Sequence, residues 1–156
     1  MKAIVTGSFD PFTLGHLDIV KRSLEMFDEV YVVALINENK SYMFTMEQKK
    51  KIIELSTSGL KNVFVDTFSG ATADYMHKHG ICKIVRGIRN SADLEYENEL
   101  SRLMSGFDDK FETIFLKSDE KFVQISSTKA REAINKNENL TNYLHADAIL
   151  YIEQLK

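Results

Sequence analysis

Cysteine and proline are nearly absent from this chain of 156 residues, which contains one of each, Cys82 and Pro11. A single cysteine excludes a disulfide within the chain and is typical of proteins in a reducing compartment. No apolar run approaches the length of a membrane-spanning helix, and no charged and then apolar leader precedes the first predicted strand. We therefore expect a cytoplasmic protein that does not associate with membranes.

An excess of positive charge is also missing, because the formal net charge is −3. This balance argues against general binding to nucleic acid or to a membrane surface. The chain has 44% hydrophobic residues and contains no repeat, low-complexity tract or linker. It is therefore predicted to form one globular domain over residues 1–156.

Segments typical of strands and helices alternate along the whole chain. Apolar, β-branched runs predict five strands, at residues 2–6, 29–36, 62–66, 81–85 and 111–116. Helical spacing predicts helices at residues 17–27, 45–58, 71–79, 93–107, 126–135 and 142–155. The fourth of these has one apolar face, formed by Tyr96, Leu100, Leu103, Met104 and Phe107. The pattern predicts the α/β class, with a single doubly wound, Rossmann-like parallel sheet of five strands and helices on both faces.

Groups that bind anions are concentrated after the predicted strands. Residues 8–16 follow the first strand and place His16 on the first turn of a helix, where free N–H groups and the helix dipole favour an anion. Lys40 follows the second strand, two arginines in residues 86–89 follow the fourth, and residues 126–131 open a helix with three hydroxyl residues. The carboxyl ends of parallel strands meet at one edge of a sheet, so a shared phosphate site is predicted there.

Each of these features also has an ordinary explanation. A lysine in a polar loop is usually solvated, and a histidine near a helix start is often a capping residue. The glycine spacing after the first strand matches neither a P-loop nor a dinucleotide-binding fingerprint. The occurrence of four such features at one predicted edge nevertheless favours the phosphate site.

Metal-ligand and hydrolase patterns are missing from the sequence. His77 and His79 lie two apart on a predicted helix and do not share a face, and no Ser-His-Asp order is present. No carboxylate is placed as an evident general base. Cation-rich loops without a nucleophile or base are typical of phosphoryl or nucleotidyl transfer, in which positioning and charge stabilisation supply most of the acceleration.

Several of these segments resemble known signatures. Gly7-Ser8-Phe9-Asp10-Pro11 with Thr13-Leu14-Gly15-His16 resembles the T/H-x-G-H signature of the nucleotidyltransferase superfamily. Ile125-Ser126-Ser127-Thr128-Lys129-Ala130-Arg131 resembles its second signature, I-S-S-T-x-x-R. Met43-Phe44-Thr45, Arg86-Gly87-Ile88-Arg89 and Asp93-Leu94-Glu95-Tyr96-Glu97 resemble segments of the bacterial phosphopantetheine adenylyltransferases. The similarity spans nearly the whole chain in length and motif order.

The resemblance implies that the adenylyl group of ATP is transferred to 4′-phosphopantetheine, giving 3′-dephospho-coenzyme A and pyrophosphate in the penultimate step of coenzyme A biosynthesis. It further implies Mg²⁺ carried by the ATP phosphates, with no metal site in the protein itself. A homohexamer built as a dimer of trimers and feedback inhibition by coenzyme A are also implied.

The resemblance also implies roles for individual residues. His16 and Lys40 would stabilise the charge that develops at the α-phosphorus, and Ser8 would hold the attacking phosphate, so these three are the implied catalytic residues. The implied ATP-binding residues are Ser8, Phe9, His16, Gly87, Arg89, Glu97, Ser126, Ser127 and Thr128. The implied phosphopantetheine-binding residues are Ser8, Lys40, Thr72 and Arg86.

Two positions depart from the family pattern. Phe122 stands near the expected adenine pocket where tryptophan is frequent, and Gly70-Ala71-Thr72 replaces a leucine-rich segment beside the pantetheine arm. The alternative functions are a sister nucleotidyltransferase, such as a cytidylyltransferase or a nicotinate-mononucleotide adenylyltransferase, and a nucleotide-binding regulator without catalytic activity.

Overall fold

A five-stranded parallel sheet forms the centre of the molecule. The computed structural model describes residues Met1–Lys156. Its strands are β1 (Lys2–Gly7), β2 (Glu29–Ile36), β3 (Val63–Ser69), β4 (Lys83–Ile88) and β5 (Glu112–Lys117), in the spatial order β3-β2-β1-β4-β5. The strand order therefore reverses at β1, which pairs with β2 on one side and β4 on the other. The predicted parallel sheet of five strands is confirmed.

Helices cover both faces of the sheet, as predicted. They are α1 (Leu14–Met26), α2 (Met46–Thr57), α3 (Thr72–His79), α4 (Ser91–Phe107), α5 (Ser127–Asn135) and α6 (Ala146–Gln154), with a short 3₁₀ turn at Glu120–Phe122. Helix α6 begins four residues later than predicted because His145 caps it, its Nδ1 accepting the Asp147 N–H at 3.2 Å. None of the helices combines the length and apolarity needed to cross a bilayer.

Alternation along the strands divides the core between the two faces. In β1, Ala3 and Val5 point into a large cluster with α1, α2, α5 and α6, whereas Ile4 points into a smaller cluster with α3. Both faces of the central strands are therefore buried, which explains their nearly continuous apolar sequences.

The structure corrects the boundaries of β4. The sequence predicted that this strand ends at Val85 and that the Arg86–Gly87 pair lies in the following loop. Arg86 and Gly87 are instead strand residues, because the ladder to β5 continues through Arg86↔Phe115 and Gly87↔Leu116. Only Arg89 follows the strand. Strand β3 is likewise three residues longer at its end than predicted.

The apolar face predicted for the fourth helix is present but is not covered within the chain. Tyr96, Leu103 and Phe107 of α4 are 64%, 63% and 67% exposed. Leu100 and Met104 are only half-buried. The helical spacing was interpreted correctly, but of its apolar side chains only Met104 packs against the core of this chain, at the smaller cluster.

Candidate active site

The loop after β1 has a compact, strained start. Phe9 is buried and adopts φ 47°, a left-handed conformation that is unfavourable for a residue with a side chain. Its ring packs directly on Gly7, where an added Cβ would lie 2.9 Å from Phe9 Cε1. Gly7 is therefore required for close packing of the aromatic ring, in addition to ending the strand.

The end of this loop fixes the imidazole of His16. Thr13 is the N-cap of α1, and its side chain accepts the His16 N–H. In return, His16 Nδ1 accepts the Thr13 N–H at 3.0 Å. Because Nδ1 is an acceptor, the proton of a neutral His16 is on Nε2. Burial, reinforced by the charges of Arg86 and Arg89, lowers the pKa of His16 to about 4. The site therefore contains a neutral imidazole with an N–H donor available to a ligand.

A cavity of about 360 Å³ lies at the carboxyl ends of β1 and β4, where the strand order reverses. This first cavity brings together most of the residues predicted to bind ATP: Phe9, His16, Gly87, Arg89, Glu97, Ser126, Ser127 and Thr128. Phe122, from the 3₁₀ turn, also lines it. The predicted convergence of separate loops at one sheet edge is therefore observed for the loop after β1, the end of β4 and the start of α5.

The helices α1 and α5 both begin at the first cavity, and each has backbone N–H groups there that are free to donate. In α1, the Leu14 N–H donates to Tyr143 O and the His16 N–H to Thr13, which leaves the Gly15 N–H without a protein partner. In α5, the N–H groups of Ser127 and Thr128 are likewise uncommitted. Such groups at helix N-termini are suited to binding an anion.

The hydroxyl groups of 126–128 are more committed than the sequence suggested. Ser126 Oγ accepts the Lys129 N–H at 3.1 Å as the N-cap of α5. Ser127 Oγ donates to Pro11 O at 2.8 Å, and Thr128 Oγ1 accepts from Arg131 at 3.2 Å. The hydroxyl groups of this run form hydrogen bonds within the protein, whereas the backbone N–H groups of Ser127 and Thr128 remain free to bind an anion. The capping interpretation and the phosphate interpretation of the run are therefore compatible.

Arg86 and Glu97 form a bidentate ion pair beside the first cavity. Arg86 Nε and Nη2 each donate to a different Glu97 oxygen at 2.8 Å. Arg86 Nη1 donates to Thr6 O at 2.8 Å, so the same guanidinium connects β4, β1 and α4. Glu97 is 7% exposed. Both side chains predicted here to contact substrate are therefore engaged with each other in this structure.

Arg89 is held more loosely at the outer rim. Its Nε donates to Asp93 Oδ2 at 3.3 Å, and its backbone N–H donates to the same oxygen at 3.1 Å. Its side chain is 41% exposed. Arg89 therefore combines an exposed guanidinium with a fixed backbone, as expected for a group that can bind an incoming anion.

A second cavity of about 310 Å³ adjoins the first. Three of the four residues predicted to bind phosphopantetheine, Ser8, Thr72 and Arg86, line it. Apolar side chains of β2 and α4 complete its wall: Leu35, Tyr96, Leu100 and Met104. Both cavities share Thr6, Gly7, Arg86 and Glu97, so the Arg86–Glu97 pair stands on the boundary between them. Ser8, which was also predicted to bind ATP, lines only the second cavity.

Lys40 is the one predicted site residue that lines neither cavity. It is exposed in the turn after β2, and its N–H donates to Asn37 O at 3.0 Å. The sequence placed this lysine at the correct edge of the sheet, since it follows the carboxyl end of β2.

Sequence reasoning missed Asp93 and Thr6 as participants in the site. Asp93 was placed at a helix start and in a segment that resembles the phosphopantetheine adenylyltransferases, but it was given no role in the site. Thr6 gave no signal beyond the end of an apolar strand. The structure contains no cluster of three or more histidine, cysteine, aspartate or glutamate side chains that could hold a metal ion.

Comparison with known proteins identifies relatives of this chain. Residues 4–133 match the family model described as cytidylyltransferase-like. A phosphopantetheine adenylyltransferase of Corynebacterium efficiens is 46% identical over 136 residues, which cover 85% of this chain and 83% of the relative. One from Limosilactobacillus reuteri is 37% identical over 145 residues, covering 93% and 84%. One from Corynebacterium glutamicum is 45% identical over 136 residues, covering 85% and 82%.

A solved structure is similar in fold. It is a bifunctional NMN adenylyltransferase/ADP ribose pyrophosphatase from Francisella tularensis, with a TM-score of 0.76 and 16% sequence identity. The match covers 99% of this chain but 49% of that one, so this chain spans about half its length. The likeness extends across all five strands and therefore supports the nucleotidyltransferase-like α/β architecture.

Proposed function

This chain belongs to the cytidylyltransferase-like family and, within it, to the phosphopantetheine adenylyltransferases, and on that premise we propose that it transfers the adenylyl group of ATP to 4′-phosphopantetheine. The products are 3′-dephospho-coenzyme A and pyrophosphate, in the biosynthesis of coenzyme A. The observation that carries the proposal is the pair of adjoining cavities at the carboxyl edge of the sheet. Two substrates that react through phosphates need two such compartments with a common boundary.

The first cavity is proposed to bind ATP. Free N–H groups at the starts of α1 and α5, the Nε2–H of His16 and the exposed guanidinium of Arg89 are all suited to phosphate oxygens. Phe122 would supply an aromatic surface for the adenine, and Phe9 and Gly87 would form part of the cavity wall against the nucleotide. Ser126, Ser127 and Thr128 would contribute through their amides, and Glu97 would face the nucleotide from the shared wall.

The second cavity is proposed to bind phosphopantetheine. Its apolar wall of Leu35, Leu100 and Met104 suits an extended, largely uncharged arm. Thr72 lies along that wall, whereas Ser8 and Arg86 lie toward the boundary with the first cavity. The phosphate of the acceptor would therefore approach the nucleotide where the two cavities meet.

The reaction needs no general base, because the attacking phosphate oxygen is already ionised. Its bond to the α-phosphorus of ATP forms as the bond to the β-phosphate oxygen breaks, and the electron pair leaves with pyrophosphate. His16 would donate from Nε2 to the oxygens of the reacting phosphate, and Lys40 would stabilise the added charge from the turn after β2. Ser8 would hold the attacking phosphate in line.

We propose that ATP enters as its magnesium complex, with Mg²⁺ held by the phosphates. Both carboxylates of the first cavity are bound to arginines, Glu97 to Arg86 and Asp93 to Arg89. These residues do not offer a ligand set for a metal of the protein's own, so none of the steps above is assigned to one.

Assembly and regulation are proposed on the same basis. The exposed apolar face of α4 supports association of copies of this chain, for which we propose a homohexamer arranged as a dimer of trimers. Feedback inhibition by coenzyme A is proposed because that molecule carries both the pantetheine arm and an adenylate, and would span the two cavities. A cytoplasmic location is proposed, in keeping with a free cysteine and with ATP as substrate.

A pyrophosphate-release assay with ATP and Mg²⁺ tests the function. Phosphopantetheine, nicotinate mononucleotide and glycerol 3-phosphate are offered separately, and the His16→Ala variant purified in parallel controls for contaminating enzymes. Release with phosphopantetheine alone is expected. Release only with another acceptor would assign a sister nucleotidyltransferase, and ATP binding without release would assign a nucleotide-binding regulator.

A further inference from the structure

A buried ammonium group lies beneath the turn that carries Lys40. Lys49, on the first turns of α2, is 0% exposed, and its Nζ is the only buried side-chain nitrogen or oxygen of the structure without a hydrogen-bond partner. It belongs to the same helix face as the core residues Ile52 and Ile53. Burial lowers the pKa of Lys49, although the nearby charge of Asp10 opposes that shift. Such a group is costly to retain in a core, and its presence calls for a specific role.

The ammonium rests on an aromatic ring. Lys49 Nζ lies 3.3 Å from the ring centroid of Tyr42, a close cation–π contact. The hydroxyl of Tyr42 accepts the Asn37 N–H at 3.1 Å. Asn37 in turn closes the turn that contains Lys40, because its carbonyl accepts the Lys40 N–H at 3.0 Å. A continuous set of contacts therefore runs from the buried charge to the backbone of Lys40.

The segment beside Tyr42 is anchored to the loop after β1 as well. Asp10, which is 5% exposed, accepts the N–H groups of Met43 and Phe44 at 2.9 and 3.0 Å. The far end of the Lys40 turn is therefore attached to the loop that bears Ser8 and Phe9. At the other end of the turn, Tyr42 is held through its ring by Lys49 and accepts the Asn37 N–H with its hydroxyl.

We infer that Lys49 is a positioning residue, which acts through Tyr42 to hold the turn 37–40, and with it the backbone of Lys40, at the carboxyl end of β2. The inference rests on the proposed role of Lys40 in the transfer. A cation is needed at position 49 because an apolar side chain of similar volume would fill the space but would not attract the face of the ring. Arginine would preserve that attraction.

Steady-state kinetics of Lys49→Met and Lys49→Arg test this inference, with Lys51→Met as the matched control. Lys51 is an exposed lysine on the same helix. In Lys49→Met we expect kcat to fall about ten-fold or more, since small displacements of a catalytic group are costly, while KM for ATP changes little. Its Tm should be unchanged or higher, because the unpaired buried charge is removed. Lys49→Arg should recover most of kcat, and Lys51→Met should match the wild type.

The double variant Lys40→Ala/Lys49→Met shows whether Lys49 acts through Lys40. If it does, adding Lys49→Met to Lys40→Ala lowers kcat no further. Amide exchange of Asn37 and Lys40, followed by NMR without substrate, should be about ten-fold faster in Lys49→Met than in Lys51→Met. Should Lys49→Met fail to fold, Tyr42→Phe removes only the acceptor for Asn37 and should produce the same faster exchange and lower kcat.

The outcomes separate the two proposals. If Lys40→Ala lowers kcat while Lys49→Met and Tyr42→Phe leave both kcat and amide exchange at wild-type values, only the role of Lys49 is overturned. A fully additive double variant would overturn it too. If Lys40→Ala retains wild-type kcat, the proposed role of Lys40 fails, and the positioning role that depends on it fails as well.

Discussion

His16 is neutral because its surroundings disfavour the doubly protonated imidazolium, although two charged arginines lie near it. Its Nδ1 is occupied by the Thr13 N–H, and burial together with two arginines lowers its pKa to about 4. Only Nε2–H remains to act on a ligand. The residue is therefore a fixed neutral donor, whereas the sequence alone suggested only an imidazole near phosphates.

The position of the proton predicts which substitution is tolerated. His16→Ala should lower kcat by several orders of magnitude, because a donor aimed at developing charge is removed. His16→Gln, whose amide nitrogen can approach the place of Nε2, should retain more activity than His16→Asn. Single-turnover pyrophosphate release measures this order, and equal rates for Gln and Asn would contradict the assigned tautomer.

The lowered pKa of His16 also predicts how stability depends on pH. The unfolded histidine binds its proton near pH 6.5 and the folded one near pH 4. The unfolded state therefore binds more protons between these values, and the free energy of unfolding falls as the pH drops through them, by at most about 3 kcal/mol. In urea unfolding between pH 7 and pH 4, the free energy of unfolding should fall less steeply for His16→Gln than for the wild type. If the two proteins lose stability in parallel, the pKa of His16 is not lowered by folding.

At the residue scale, the sequence identified the candidates but not their partners. His16, Arg89 and the run 126–128 were recognised from their types and positions after strands. The pairing of Arg86 with Glu97 joins separate elements, and no local pattern encodes which cation meets which carboxylate. Similarly, nothing within the run Lys49-Lys50-Lys51 indicates that the first lysine alone lies in the core, beyond its helical spacing to Ile52 and Ile53.

Among the elements, α5 is attached to the loop after β1 by two contacts to consecutive carbonyls. Ser127 Oγ donates to Pro11 O and Arg131 Nη1 donates to Asp10 O, both at 2.8 Å. These bonds fix the free amides at the start of α5 opposite those at the start of α1. The first cavity is therefore bounded by a helix and a loop that lie far apart in the sequence and are joined by these two bonds.

Removing the hydrogen bond between Arg131 and the Asp10 carbonyl should disturb the first cavity, even though Arg131 lies outside it. Arg131→Met leaves the Asp10 carbonyl unpaired and should lower the free energy of unfolding by about 1–3 kcal/mol. It should also weaken ATP binding, although Arg131 does not line the first cavity. Calorimetric titration with ATP measures the second effect, and Lys129→Met on the same helix is the control. An unchanged affinity in Arg131→Met would show that the free amides are positioned without it.

The sequence predicted all five strands and all six α-helices but not the 3₁₀ turn at Glu120–Phe122, and its other errors lie at the ends of elements. Strand β4 continues through Arg86 and Gly87 because β5 beside it supplies a ladder, and a glycine in an isolated strand would be interpreted as its end. Helix α2 was placed correctly because its signal is local, a capping box between Thr45 and Gln48. Boundaries encoded by neighbouring residues were therefore predictable, and those set by a partner strand were not.

For the whole molecule, the exposed apolar face of α4 is the feature that supports the proposed association of several chains. An apolar stripe on a long helix is normally buried against something. Leu103 and Phe107 are among the most exposed large apolar side chains of the structure. Other copies of the chain are the proposed cover.

Leu103→Lys should therefore dissociate the assembly into smaller species. The matched control is Leu150→Lys on α6, because Leu150 is 65% exposed and Leu103 is 63% exposed. Light scattering coupled to size exclusion measures the molar mass of each variant. A wild-type monomer, or a Leu103→Lys variant with the wild-type mass, would remove α4 from the interface.

Strand β1 precedes the other four strands in the sequence, yet it occupies the centre of the sheet. One of its edges pairs with β2, the next strand in sequence, and the other pairs with the distant β4, as in Ala3↔Lys83. The first cavity lies where β1 and β4 meet, and the start of α5, which is bonded to the loop after β1, forms another of its walls. A chain truncated before α5 therefore lacks the wall that Ser126, Ser127 and Thr128 provide to the first cavity.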